Sequence, residues 1–464
     1  MARTDAASPV LRASLALAAT VALGCAPAAN APPVTAIGVS PAPAPPPSAS
    51  ASAPALAPAL APAPARAPAP APAPARAPAP AAAAKPATPS SSSLTSDPLA
   101  TKILEGGGAA LKAVLATPEK YRFQVLYGMI TSGAKPTLER HGYRADAEYF
   151  FPASSMKMPI ALATYDRLAV LRKAGKPGLT RDATMRIHPV AGNAEPFVST
   201  LARETWRALI VSDNVSANRL LGVVGHREAH ETLWGLGLAS VRIRSGFATG
   251  AEIDPAELSP RIELSTAGGP TEELPARRSD LVLPPNDATS LAIGKANLVD
   301  GRRVEGPLSF ADKNAIRLRE LQDTLVRIMR PELMPPGAKA DTAAPDDLAY
   351  LREALGTLPS ASGLAGFDRN VVADYQLSPF LRGIERVRTR GQFEIFSKVG
   401  QAYGFLIANA YVVDKTTGRS FFLIASVYAN PDEVMNTDTY GYDAVSFPAL
   451  ADVAEAFCRH AFAP

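Results

Sequence analysis

The sequence predicts an α+β protein, with an antiparallel sheet flanked by N- and C-terminal helices and joined to an all-helical lobe. Three observations carry this. Strand-like runs with alternating apolar residues occur early, in YRFQVLYGMI (121–130) and LERHGYRADAEYF (138–150). Three more follow one another near the end, in FEIFSKVG (393–400), YGFLIANAYVV (403–413) and SFFLIASVYAN (420–430). Between the two sets lie segments of helical periodicity, so the early and late strands are expected to meet in one sheet.

In chain order, residues 1–31 read as an export signal. Arg3 and Arg12 flank the apolar run ASLALAATVAL (13–23), which is too short for a stable membrane span. It ends at ALGCAP, where Gly24-Cys25 resembles a bacterial lipobox with Cys25 as the lipidated residue; ordinary cleavage after AANA, at Ala31, is the alternative. Residues 32–97 are a Pro/Ala-rich linker in which APAPARAPAP repeats in tandem at 61–70 and 71–80. Such a segment favours extended polyproline II, buries no core and reaches on the order of 200 Å at about 3.1 Å per residue. It serves as a tether or a passive spacer.

The folded part is expected over 98–464. SDPLATKILEGGGAALKAVLAT (96–117) opens with Ser96-Asp97 as N-cap residues and Pro98 in the first turn, and is loosened at Gly106–Gly108. A helix runs to Leu171. STLARETWRALIVSDNVSANRLLGVVG (199–225) reads as helix, break, helix, with Leu201, Trp206, Leu209 and Ile210 on one face. NAIRLRELQDTLVRIM (314–329) is the one clear helix of the region 251–390, and FPALADVAEAFCRHAF (447–462) closes the chain.

Composition limits the chemistry. The net charge is +4 and Lys and Arg are scattered, so no nucleic-acid partner is indicated. The two cysteines, Cys25 and Cys458, cannot staple a chain of this size. His226 and His230 stand at i and i+4 in GHREAHETLW without further ligands, which reads as a solvated helix face and not a metal site. No cofactor is called for, and a monomer is expected.

Chemistry gathers in FPASSMKMPIAL (151–162). With a helix starting at Ser154, Lys157 lies one turn on, where its amine can serve as the base a serine nucleophile needs, provided burial lowers its pKa. The helix N-terminus offers a backbone N–H for an oxyanion. A second S-x-x-K, Ser132 to Lys135, is flanked by Gly133 and Pro136 and reads as a turn. Ser212-Asp213-Asn214 is the only S-D-N in the chain and falls at the break between two helices.

These two motifs resemble those of the penicillin-recognising serine hydrolases, specifically the class A β-lactamases. The resemblance implies Ser154 as nucleophile, Lys157 as general base, Ser212 as proton relay to the leaving nitrogen and Asn214 as a hydrogen-bonding group for the substrate amide. For the third motif, K-T-G, it points to Lys398-Val399-Gly400 at a strand end, with Lys398 anchoring a substrate carboxylate, Gly400 allowing close backbone approach, and the N–H groups of Gln401 and Ser154 forming an oxyanion hole. Lys415-Thr416-Thr417-Gly418 is read as a hairpin tip.

The match departs from the family in two places. Val399 lacks the hydroxyl usual at that position, and no E-x-x-L-N follows SVRIR where the deacylating glutamate belongs; Glu252 and Glu257 are nearby carboxylates without the motif, and Glu195 precedes S-D-N. The stretch from Asn214 to Lys398 is long for the family, so about 266–390 reads as an insertion. The implied function is an exported β-lactam hydrolase concerned with antibiotic response, acting on β-lactams or peptidoglycan stem-peptide-like substrates. The alternatives are a D,D-peptidase or esterase on the same scaffold, or a non-catalytic binder of cell-wall fragments.

Overall fold

The computed structural model describes residues 96–463, apart from 132, 134, 190–194, 249–254, 267–268, 270, 340–342 and 369–371. The expected export signal, Cys25, nearly all of the linker, Ser132 and Glu252 lie outside the described residues.

Asp97 caps α1 (Pro98–Glu105), its carboxylate accepting from the N–H groups of Leu99 and Ala100, and Pro98 takes the first turn as expected. After the glycine break comes α2 (Ala109–Leu115). Strand β1 (Gln124–Ile130) follows as read, but β2 (Leu138–Tyr143) stops short of the expected Phe150. Arg144 and Asp146 adopt positive φ, 50° and 59°, which ends the ladder, and Arg144 pairs with Glu119 and Glu148 instead.

A one-turn 3₁₀ segment, Ala153–Met156, leads into α3 (Lys157–Lys173), the axis of the lobe. Around it pack α4 (Leu201–Ile210), α5 (Asn214–Val224) and α6 (His226–Gly235). The lobe is not purely helical. It also holds β3 (Thr184–Ile187) and β4 (Phe197–Thr200), which join β6 (Ile262–Ser265) and β7 (Thr271–Leu274) in a four-stranded antiparallel sheet of order β4-β3-β6-β7. A two-residue ladder joins β5 (Leu258–Ser259) to β8 (Arg277–Arg278). These strands are four residues or fewer, too short to show a period in the sequence.

His226 and His230 also depart from expectation. Both are buried. The Nδ1–H of His230 donates to the His226 carbonyl while its Nε2 accepts from the Ile243 N–H, and His226 bonds Ser279 Oγ and the Ile243 carbonyl. Burial lowers both pKa values, that of His230 to about 3, so the pair is a neutral structural bridge.

Four short strands follow: β9 (Ala292–Ile293), β10 (Ala296–Val299), β11 (Arg302–Glu305) and β12 (Leu308–Ser309). Then comes α7 (Leu318–Met329), followed by α8 (Pro345–Gly356), α9 (Asp374–Leu377) and α10 (Leu381–Glu385). Parts of the segment read as an insertion are thus built into the core, since Leu318, Leu321, Leu325, Val326 and Ile328 of α7 are fully buried in the same cluster as α3.

Strands β13 (Phe393–Ala402), β14 (Phe405–Asp414) and β15 (Ser420–Tyr428) complete a five-stranded antiparallel sheet of order β13-β14-β15-β1-β2. The two-residue β16 (Val434–Met435) runs beside β10, and α11 (Phe447–Ala461) ends the fold. Helices on both faces of the sheet explain the nearly unbroken apolar run of β14. Leu406, Ala408, Ala410 and Val412 enter the core shared with α1, α2 and α11, while Phe405, Ile407 and Tyr411 enter the core shared with α3 and α7. Lys415–Gly418 is the β14–β15 tip, as read, organised by the Asp414 carboxylate accepting from Thr416 and Thr417.

Helices α10 and α11 touch through Gly383, where an added Cβ would lie 1.9 Å from the Ala451 carbonyl oxygen. Gly383→Ala is therefore expected to lower stability by roughly 1–3 kcal/mol, measured as a fall in the midpoint of urea unfolding.

Candidate active site

The site forms where three elements meet: the 153–156 turn heading α3, the Ser212–Asn214 break between α4 and α5, and the edge strand β13. Ala153 has φ +48°, a strained value for alanine, directly before Ser154. Ser154 is half-buried. Ser155 is fully buried and its hydroxyl donates to the Pro152 carbonyl at 2.6 Å, so the turn itself consumes it. Only Ser154 remains accessible.

Lys157 is the first residue of α3 and is fully buried. Its amine donates to the Ser212 carbonyl and, at 2.6 Å, to Asn214 Oδ1, and lies 3.3 Å from Ser212 Oγ. Ser212 reaches this position with φ +59°, turning both its carbonyl and its hydroxyl toward the lysine. Asp213 holds the break in place: it caps α5 through the Ser216 N–H at 2.7 Å and pairs with Arg207 at 2.7 Å.

A second buried amine converges on the same serine. Lys398 is 1% exposed, and its Nζ lies 2.9 Å from Ser212 Oγ and 3.1 Å from the Val399 carbonyl. Burial pushes the Lys157 pKa far down, and the neighbouring charge of Lys398 pushes it further; burial alone brings Lys398 to about 7. A neutral Lys157 can take a proton from a serine, and the Ser212 hydroxyl between the two amines can hand one on.

Gly400 faces the nucleophile turn so closely that an added Cβ would meet the Pro152 carbonyl oxygen at 2.3 Å and the Ser155 nitrogen at 3.1 Å. Gln401 is the next residue of this edge and is exposed. Val399 points the other way, packed in the core against the terminal helices. Of the carboxylates considered for water activation, Glu257 pairs with Arg278 at 2.9 Å, and Glu195 is exposed. No carboxylate among the described residues hydrogen-bonds Lys157. The described residues also contain no cluster of three or more His, Cys, Asp or Glu able to hold a metal.

Two site residues escape a motif reading. Asn218, one turn beyond Asn214, clamps Phe247 by its backbone: its Nδ2 donates to the Phe247 carbonyl at 2.9 Å and its Oδ1 accepts the Phe247 N–H at 2.8 Å. Asn214 Nδ2 donates to the Ala248 carbonyl at 2.7 Å. The Phe247 ring centroid lies 4.8 Å from Lys157 Nζ. The one sequence signal was the i, i+4 spacing of the two asparagines, which puts both on one helix face.

A serine at a helix start, a buried lysine one turn on and a second serine between two buried amines are gathered here. Residues 109–279 match the model of the β-lactamase enzyme family. The matched segment holds Ser154, Lys157, Ser212 and Asn214 and ends before Lys398. Among solved structures, the chain is similar to a β-lactamase from Burkholderia vietnamiensis (14% identity, 77% of this chain and 97% of that one, TM-score 0.42). It is also similar to a class A β-lactamase from Mycobacterium abscessus (15%, 76% and 98%, TM-score 0.42) and to PBP-A (14%, 79% and 98%, TM-score 0.42). No curated protein matches the chain.

Gly400→Ala is expected to displace the turn carrying Ser154 and to slow covalent labelling by penicillin by about 100-fold, the scale of an ångström-level misplacement, with the unfolding midpoint showing that the fold is retained.

Proposed function

We propose that the protein is an exported, monomeric hydrolase that opens β-lactam amides through an acyl-enzyme on Ser154. The observation that carries this reading is the buried amine of Lys157, held at Ser212 and Asn214 one turn from Ser154. Lys157 accepts the Ser154 hydroxyl proton as Oγ bonds the lactam carbonyl carbon. N–H groups of Ser154 and Gln401 receive the oxyanion. The C–N bond then breaks, and the nitrogen takes a proton through Ser212. Water adds to the acyl carbon, and the Ser154 oxygen leaves with a proton, freeing the product acid. Asn214 meets the substrate amide, Gly400 lets the strand lie close, and Lys398 holds the substrate carboxylate. Cys25 would carry the lipid that tethers the domain to the membrane in the cell envelope.

A second reading, a peptidoglycan D,D-peptidase or esterase with slow release, is favoured by one observation: the aromatic ring of Phe247 packs 4.8 Å from Lys157 Nζ.

Intact-protein mass spectrometry after mixing with a penicillin tests the proposal. An adduct of the penicillin's mass is expected on the wild type and none on Ser154→Ala, whose turnover of a chromogenic cephalosporin falls on the order of 10⁶-fold, the scale for loss of a serine nucleophile. Absence of any adduct on the wild type would contradict it. Because Lys398 titrates at about 7, it is charged below that pH and neutral above. KM for a carboxylate-bearing β-lactam is therefore expected to rise as pH climbs through 7, measured as a KM–pH profile that Lys398→Arg flattens.

A further inference from the structure

Lys157 Nζ is buried among polar and aromatic neighbours. The Ser212 carbonyl, Ser212 Oγ and Asn214 Oδ1 surround it with oxygens, and the Phe247 ring lies across it at 4.8 Å. The ring is not there by loose packing. Asn218 holds the Phe247 backbone with two hydrogen bonds and Asn214 holds the Ala248 carbonyl, so two asparagines one turn apart on α5 fix the 247–248 loop. Phe247 is itself 8% exposed. The same Asn214 amide that accepts from Lys157 thus holds the loop that covers it.

We propose that Phe247 is a positioning residue for the Lys157 base: clamped by Asn214 and Asn218, its ring screens the amine from water, which sustains the amine's proton-accepting form and slows water's part in releasing the acyl-enzyme. This inference rests on the acylation of Ser154 proposed above. Release requires water to add to the acyl carbon as the Ser154 Oγ–C bond breaks, with a base to take a proton from that water. The Phe247 ring occupies the side of the amine it covers, so a water cannot approach Lys157 from that side. The ring also screens the amine from hydration, which favours its neutral, proton-accepting form. The charged groups acting on it are Lys398 from β13, which reinforces the neutral form, and Asp213 from the α4–α5 break, which opposes it and is itself engaged by Arg207. A cation–π contact with the ring also favours the ammonium, but it is worth less than the hydration that the ring excludes.

The experiment follows the penicillin adduct by intact-protein mass spectrometry after excess penicillin is removed, in the wild type, Phe247→Ala and Phe247→Leu, together with the pH dependence of the acylation rate. Phe247→Ala is expected to shed the adduct at least about 10-fold faster and to move the rising limb of the acylation–pH profile up by about one unit, as water reaches the amine. Phe247→Leu keeps the site apolar and is expected to follow the wild type in both. Asn218→Ala loosens the loop without altering the ring and moves both readouts in the direction of Phe247→Ala, which keeps the test valid if that variant folds poorly. An adduct lifetime and pH profile unchanged in both Phe247→Ala and Asn218→Ala overturn the proposal, as does Phe247→Leu behaving like Phe247→Ala. A wild type that takes up no adduct removes the acylation reading and this inference with it, an outcome distinct from an adduct that forms but ignores Phe247.

Discussion

Two lysine amines converge on one serine hydroxyl inside the protein, and the chemistry of the site depends on that constraint. Lys157 and Lys398 both contact Ser212 Oγ, which sets their nitrogens no more than about 6 Å apart; two full charges there repel by about 3 kcal/mol at an effective dielectric of 20. Burial adds to the cost of charging either amine. Lys157 bears the larger depression. A neutral amine also suits its neighbours, since its two N–H groups can donate to the Ser212 carbonyl and to Asn214 Oδ1 and leave the lone pair to accept a proton.

The fold serves this cluster by bringing together three segments that are far apart in sequence. Helix α3 places Lys157 at its first turn within the largest core cluster. The α4–α5 break presents Ser212 in a left-handed conformation that only a well-anchored neighbour such as Asp213 can hold. Strand β13 carries Lys398 in on one face and packs Val399 into the opposite core, and Gly400 allows its edge to press against the nucleophile turn. Backbone strain at Ala153 and Ser212 lies on either side of the reacting groups, where surrounding structure keeps it in place.

The sequence was most legible where periodicity or capping was strong. The three late strands, the final helix, the Asp97 cap and the break at S-D-N all stand where they were read. The approach of Lys157, Ser212, Asn214 and Lys398 was legible because short motifs mark them, although Lys398 lies inside β13 and not at the strand end where it was read. The lobe's sheet was not legible, because its strands run four residues or fewer. The buried His226–His230 bridge was hidden because Ser279 and Ile243, which satisfy it, lie far along the chain. Phe247 was missed for a similar reason: its role comes from Asn218 holding its backbone, and no residue type at position 247 announces that.

The central claim is that the Lys157 pKa lies well below that of an ordinary lysine because the amine is buried beside Lys398. The direct measurement is a pH titration of lysine side chains by NMR on protein labelled at lysine Cε, with Lys157→Arg and Lys398→Arg supplying the assignments. The account predicts two signals that titrate well below the ordinary lysine range of about 10.4, one lost in each variant, with that of Lys157 the lower. Lysine signals that all titrate in the ordinary range would contradict it.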